Sequence, residues 1–124
     1  MKVFIKENAF VAKLAAKKLG EKRVAMVIGK TIFLWNVPAD IFLKDKEWLC
    51  HEATHIKQFQ QHGFLKFLFL YLKESFKNGY ENNRFEIEAR EKESTLTILD
   101  DLEFLINQQT AFSTTNYKPQ TTNS

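Results

Sequence analysis

Cysteine and long apolar runs are the most informative shortages in this chain of 124 residues. The single cysteine, Cys50, excludes an intrachain disulfide and any zinc site that is built from several cysteines. The most apolar stretch, 64–72, is interrupted by Lys66 and is too short to cross a bilayer, so we expect no transmembrane segment. The charged segment 1–7 is not typical of a signal peptide, and we therefore expect a cytoplasmic protein.

A large excess of one charge is missing as well. The 18 basic and 15 acidic residues give a formal net charge of +3, and the lysines are scattered along the chain rather than clustered with aromatic residues. This distribution is typical of solvated helix surfaces, so we expect no nucleic-acid partner.

Bulky apolar residues, in contrast, are abundant. Hydrophobic residues make up 44% of the chain and include 12 phenylalanines, which is enough for the core of one small domain. We place this single domain at 1–109. The segment 110–124 is rich in Thr, Asn, Ser and Gln and is predicted to be a disordered carboxyl-terminal tail.

The spacing of the apolar residues predicts the order strand, helix, hairpin and three helices. This order is typical of an α+β fold, in which a small antiparallel sheet or hairpin packs on a helix bundle. The predicted elements are a strand within 1–7, a helix over 8–19 capped by Asn8 and ended by Gly20, strands over 24–28 and 31–35, a helix from Asp40 or Asp45 to His62, a helix over 64–77 and a long helix over 84–108.

Residues 51–55 read His-Glu-Ala-Thr-His, within a predicted helix. Residues four apart lie on the same helix face, so His51 and His55 can hold one metal ion. Two imidazoles suit zinc (Zn²⁺), and catalytic zinc sites keep an open position for water. Glu52 lies about 100° further round the helix, where it can take a proton from that water. The pattern predicts a zinc-dependent hydrolase in which Glu52 activates a zinc-bound water.

The third ligand cannot be His62, the only other histidine, because it lies about 10 Å beyond His55 along the helix axis. A carboxylate from another helix is expected instead. Glu86 is favoured, because the small Ala89 one turn later lets a second helix approach closely.

Other interpretations of this region stay open. Glu81 and Glu88 are alternative ligands, and Asn83-x-x-Glu86 also resembles a capping box, in which the glutamate only closes a helix start. A hydrolase also needs a donor for the developing oxyanion, and no spacing singles one out. The candidate donors are Tyr71, Tyr80, Arg84 and His62.

The 51–55 motif, followed by Glu86-x-x-Ala89, resembles the gluzincin branch of zinc metallopeptidases, and especially small bacterial zincin-like metallopeptidases of uncharacterised function. Gly-Lys-Thr-Ile at 29–32 and Gln58 are also similar to that group, so the resemblance covers roughly 24–90. It implies a minimal zincin-like domain and a peptide or protein substrate, aligned in extended form on an edge strand of the hairpin.

The resemblance also implies that His51, His55 and Glu86 hold the zinc ion and that Glu52 is the general base. One departure concerns Arg90, which stands where many gluzincins have an aspartate that orients a histidine ligand. The groups that orient the two imidazoles must then come from elsewhere in the chain.

Segment 64–72 is apolar nearly all round. We predict a core helix between the motif helix and the last helix; a membrane-surface contact, a hydrophobic substrate groove and a homodimer face or other hydrophobic partner contact stay open. For the whole chain, a metallopeptidase is the leading hypothesis. The alternative is a non-catalytic zinc-binding interaction module whose metal only supports the fold.

Overall fold

The computed structural model describes residues 1–107, so the predicted domain end at 109 and the tail 110–124 lie outside the described residues. The chain forms an α+β domain, which confirms the predicted fold class. Its elements are β1 (Lys2–Lys6), α1 (Phe10–Leu19), β2 (Val24–Ile28), β3 (Thr31–Trp35), α2 (Ala39–Lys44), α3 (Lys46–His62), α4 (Phe64–Asn78), α5 (Arg84–Glu91), a short 3₁₀ helix (Leu96–Leu99) and β4 (Glu103–Asn107).

The four strands form one mixed sheet in the order β2-β3-β1-β4. The β2–β3 hairpin is antiparallel, as predicted, but β1 lies parallel to both β3 and β4, so the sheet is not antiparallel throughout. The segment between β1 and β3 consists of α1 and β2, and it is long enough for the crossover that parallel strands require.

The long helix predicted over 84–108 is wrong, because α5 ends at Glu91. No apolar residue lies between Ala89 and Leu96, so a longer helix would have no face to bury there. Further on, β4 pairs with β1 along its full length and places Phe104 beside Val3 in the core. This pairing joins the two ends of the described chain, and a local pattern cannot reveal it.

The helices pack on both faces of the sheet. Along β3, Ile32 and Leu34 point into the main core towards α2 and α3, while Phe33 and Trp35 point towards α1. Helix α1 begins after Ala9 without a side-chain cap, so Asn8 is not the predicted cap, and it ends at a left-handed Gly20 as predicted. Helix α3 therefore lies between the sheet and the helices that follow it, with β2 as its neighbouring edge strand.

Helix α4 is not the enclosed core helix that the sequence predicts. Its buried residue is Phe67, which contacts Phe59 of α3 and Phe85 of α5. Most of its other apolar side chains are wholly or partly exposed. None of the helices in residues 1–107 has the length and hydropathy that a membrane-spanning segment requires.

Candidate metal centre

Helix α3 carries the motif and is fixed at both ends. Asp45 separates α2 from α3 and accepts a hydrogen bond from the Trp48 amide (3.2 Å), which caps the helix start, and Gly63 follows its last residue. Leu49, Ala53 and Ile56 bury one face of α3 in the main core. This anchoring leaves the adjoining face, with the two motif histidines, directed towards α5.

Three side chains from α3 and α5 converge on one point. His51, His55 and Glu86 each offer a ligand atom, and these atoms lie within 4.8 Å of one another. The Nε2 atom of His51 is 3.0 Å from Oε1 of Glu86, and that of His55 is 3.2 Å from Oε2. Two imidazoles and a carboxylate that face a common centre form the donor set of a three-ligand zinc site.

Hydrogen bonds orient Glu86 towards the histidines. Its Oε2 atom accepts a hydrogen bond from the Tyr71 hydroxyl of α4. The Asn83 side chain caps α5 by accepting a hydrogen bond from the Phe85 backbone N–H (2.8 Å). The backbone N–H of Asn83, which a capping-box glutamate would bind, donates instead to the Tyr80 carbonyl. The Glu86 side chain therefore takes no part in capping, and the capping-box interpretation is wrong.

The alternative carboxylates stay outside the centre. Glu81 is exposed and lies 3.8 Å from Arg90, and Glu88 is exposed and accepts a hydrogen bond from Gln58. His62 stacks on Phe67, a residue of the small aromatic core.

Two further residues orient the imidazoles. Nδ1 of His51 lies 2.9 Å from Oε2 of Glu93, and Nδ1 of His55 lies 2.8 Å from Oε1 of Gln58. Both oxygens are acceptors, so each Nδ1 carries the proton that it donates, and each Nε2 is directed to the centre. The Gln58 amide is itself oriented, because its Nε2 donates to the Phe85 carbonyl (3.1 Å).

Glu93 and Gln58 thus supply the support that Arg90 does not. Glu93 was not identified from the sequence, because the predicted long helix would have continued through it. In the structure the chain leaves the helix after Glu91, and the turn brings Glu93 back to His51. Its only signal in the sequence is the break in apolar spacing after Ala89.

The charges at the centre are strongly coupled. Burial alone would lower the pKa of His51, but the hydrogen bond with Glu86 and the charge of Glu52 outweigh it and raise the value to about 9. Burial would raise the pKa of Glu86, but hydrogen bonds with His51 and His55 hold it well below its usual range. The centre therefore contains an ionised carboxylate that favours positive charge, which protons or a metal ion can supply.

Glu52 lies beside the centre and is 5% exposed. Burial raises its pKa to about 7, although the neighbouring His55 and His51 act in the opposite direction. A carboxyl group with this pKa both accepts and releases a proton readily near neutrality. This is the property that a general base followed by a general acid requires.

Two cavities meet at Glu52. One, of about 340 Å³, is mostly apolar and runs along β2 and α4; the other, of about 450 Å³, has several carboxylates in its wall. His51, Glu52 and Tyr80 line both cavities. Burial and the nearby Glu86 raise the pKa of Tyr80, so its hydroxyl stays protonated as a donor. The centre is therefore accessible from two sides.

The structure brings together the four residues that were predicted for the site, His51, Glu52, His55 and Glu86. Cys50 is buried on another side of α3, with its Sγ atom 3.7 Å from the Thr95 carbonyl, so it does not compete as a ligand. No family model, curated protein or solved structure matches the chain.

Proposed function

We propose that this chain is a zinc-dependent metallopeptidase, in which His51, His55 and Glu86 hold one zinc ion and Glu52 is the general base. The observation that carries the proposal is the convergence of the three ligand atoms within 4.8 Å. The hydrogen bonds of both Nδ1 atoms support it, because they direct each Nε2 to the same centre.

The donor set favours zinc over other divalent ions. Calcium and magnesium prefer sites made of oxygen atoms, whereas two imidazoles with one carboxylate match known catalytic zinc sites. A bound zinc ion lowers the pKa of a coordinated water and polarises a carbonyl group of the substrate.

Glu52 and Tyr80 would supply the remaining chemistry. Glu52 is positioned to accept a proton from the attacking water and to pass it to the leaving amine, because it lies at the junction of both cavities. The Tyr80 hydroxyl, which lines the same junction, is the best placed donor to the developing oxyanion. Tyr71 is less suited, since it lines the apolar cavity but not the second one.

Strand β2 supports a peptide as the substrate class. It is one of the two edge strands of the sheet, and within residues 1–107 its outer side pairs with no other strand. The apolar cavity runs along this strand from Val24 to Ile28 and reaches Glu52. An extended peptide can add to such an edge through main-chain hydrogen bonds and place a side chain in the cavity.

Elemental analysis of the purified protein is the first test. We expect about one zinc per chain in the wild type, and loss or strong weakening of binding in His55→Ala and in Glu86→Gln, because each change removes one of three ligands. Glu81→Gln is the matched control, because this carboxylate is exposed beside Arg90 and stays outside the centre. Failure of the reconstituted wild type to bind zinc would refute the proposal.

Hydrolysis of a peptide library by the zinc-loaded protein tests the catalytic part of the proposal. Cleavage that disappears in Glu52→Gln, with zinc content unchanged, is the expected result. Zinc binding by a wild type that cleaves nothing in the library would instead favour the non-catalytic interaction module.

A further inference from the structure

The outer face of α4 carries an uncovered row of large apolar side chains, here called the apolar stripe. It consists of Leu65, Phe69, Leu72 and Phe76, which are 76%, 64%, 58% and 95% exposed. Their spacing of four, three and four residues places them within about 60° of one another on the helix, at about 100° per residue. A helix of only 15 residues thus presents four bulky apolar groups to solvent on one side.

A row of lysines, the lysine row, flanks this stripe. Lys66, Lys73 and Lys77 lie within about 40° of one another on the wheel, all on the same side of the stripe. All three are exposed, and none forms an ion pair with another residue of the described segment 1–107. The carboxylate of α4, Glu74, is turned away from them and contacts Arg84 and Asn78.

We propose that α4 binds the surface of an anionic lipid bilayer, with the apolar stripe inserted at the level of the acyl chains and the lysine row at the phosphate headgroups. Helices that lie in a membrane interface have this composition, with Phe and Leu on one face and Lys beside them. Each lysine near an anionic surface strengthens binding by about fivefold, from about 1 kcal/mol per residue.

The position of the lysine row argues against a second copy of the chain as the partner that binds the apolar stripe. In an antiparallel pair of α4 helices, the lysine row of each copy would lie against that of the other. In a parallel pair, the row would meet the opposite flank, which consists of Phe64, Leu68 and Ser75 and offers no carboxylate. An anionic bilayer, in contrast, supplies acyl chains for the stripe and negative charge for the row at the same time.

The stripe is continuous with the apolar cavity that leads to Glu52. Leu68 and Leu72 of α4 line that cavity, and Lys18 and Leu19 of α1 line it too. A bilayer against the stripe would therefore lie beside the opening of the cavity. Lipid binding itself depends on neither zinc nor hydrolysis, so it can be tested whether or not the metallopeptidase proposal holds.

Co-sedimentation of the full chain with vesicles tests the proposal. We expect binding to vesicles of equal parts phosphatidylglycerol and phosphatidylcholine, and at least tenfold weaker binding to phosphatidylcholine alone. The double variant Phe69→Ser/Phe76→Ser should bind the anionic vesicles at least tenfold more weakly, and Lys66→Gln/Lys73→Gln/Lys77→Gln should do the same. Both variants change only exposed side chains, and circular dichroism checks that the fold is retained.

The matched control removes the same amount of charge elsewhere. Lys22→Gln/Lys44→Gln/Lys92→Gln changes three exposed lysines outside α4 and should leave vesicle binding within about twofold of the wild type. Equal binding to neutral and anionic vesicles, or equal loss in the two lysine variants, would overturn the proposal. So would a wild type that ignores vesicles but forms a dimer that Phe69→Ser/Phe76→Ser dissociates, because the stripe would then bind a second copy.

Discussion

Helices α3 and α4 follow each other directly and have similar lengths, yet they distribute their side chains in opposite ways. Helix α3 buries several polar residues, namely Glu52, Thr54, His55 and Gln58. Helix α4 is far richer in apolar residues and buries only Phe67. In these two helices, whether a side chain is buried therefore depends on the neighbours that it meets and not on its hydrophobicity alone.

The partners explain the difference. The Thr54 hydroxyl donates to the Cys50 carbonyl (2.8 Å), and His55 and Gln58 hydrogen-bond to each other. Buried polar groups are tolerated when such bonds are made, and an organised set of them is typical of a functional site. The other elements of residues 1–107 leave the outer face of α4 exposed, and such a set of apolar residues is typical of a contact surface rather than of a core.

The largest expected effect comes from the most buried carboxylate of α3. Glu52→Gln should reduce peptide hydrolysis by about 10²- to 10⁴-fold, the usual range for loss of a general base, while zinc content stays constant. Steady-state kinetics on zinc-loaded protein measures it. Glu47→Gln, an exposed position on the same helix, serves as the control and should differ little from wild type. Equal loss in both variants would remove the special role of Glu52.

Within α4, two phenylalanines should differ sharply in their contribution to stability. Phe67→Ala should lower the free energy of unfolding by about 3–5 kcal/mol, because Phe67 fills the aromatic core with Phe59 and Phe85. Phe76→Ala, at a nearly fully exposed position, should change it by less than about 0.5 kcal/mol. Urea titration followed by circular dichroism compares them, and similar losses would mean that the outer face of α4 is covered.

A smaller effect is expected for the residues that orient the imidazoles, and it distinguishes between Glu93 and Arg90. Glu93→Ala should weaken zinc binding by about 10- to 100-fold, because His51 loses the acceptor for its Nδ1 proton. Arg90→Ala should have little effect. Arg90 stands at the position where many gluzincins have an aspartate that orients a histidine ligand. Competition with a chelator of known affinity measures both. If Arg90→Ala were the more damaging change, the assignment of Glu93 would be wrong.

The smallest effect is expected at the start of α3. Asp45→Ala removes the side chain that accepts from the Trp48 amide, and loss of such a cap costs about 1 kcal/mol. Thermal unfolding of the metal-free protein measures this change. Asp40→Ala is a suitable control, since Asp40 lies in the first turn of α2 and caps neither helix. Equal destabilisation by the two changes would show that Asp45 acts through charge rather than as a cap.

The part of the site that depends on one helix could be predicted from the sequence. The i, i+4 spacing of His51 and His55 defines a common face wherever a helix forms, and the chain does form one there. The small Ala89 favours Glu86 in the sequence, and the structure buries this alanine fully in α5, the helix that packs against α3. The hairpin and the ends of α1 and α4 at glycines were also local features.

The rest depends on contacts that are distant in the sequence. Strand β4 exists because β1, about a hundred positions earlier, provides an edge to pair with. Glu93 reaches His51 because α5 is short, and the outer face of α4 is exposed because no later helix within residues 1–107 extends over it. An apolar pattern indicates which residues prefer to be buried, but it does not indicate whether another element of the fold packs against them.

Because α5 is short, a fragment of this domain cannot be expected to keep the complete metal centre. Eight residues seldom hold a helix on their own, so α5 depends on Asn83, whose side chain donates to the Tyr71 carbonyl (3.1 Å) and to the Ser75 hydroxyl (2.8 Å) of α4. A fragment that ended after α3 would keep the whole 51–55 motif and lose the carboxylate ligand together with its support. The motif is thus one part of a centre that only the assembled chain contains, and grafting 46–62 onto another scaffold would transfer a pair of histidines rather than the site.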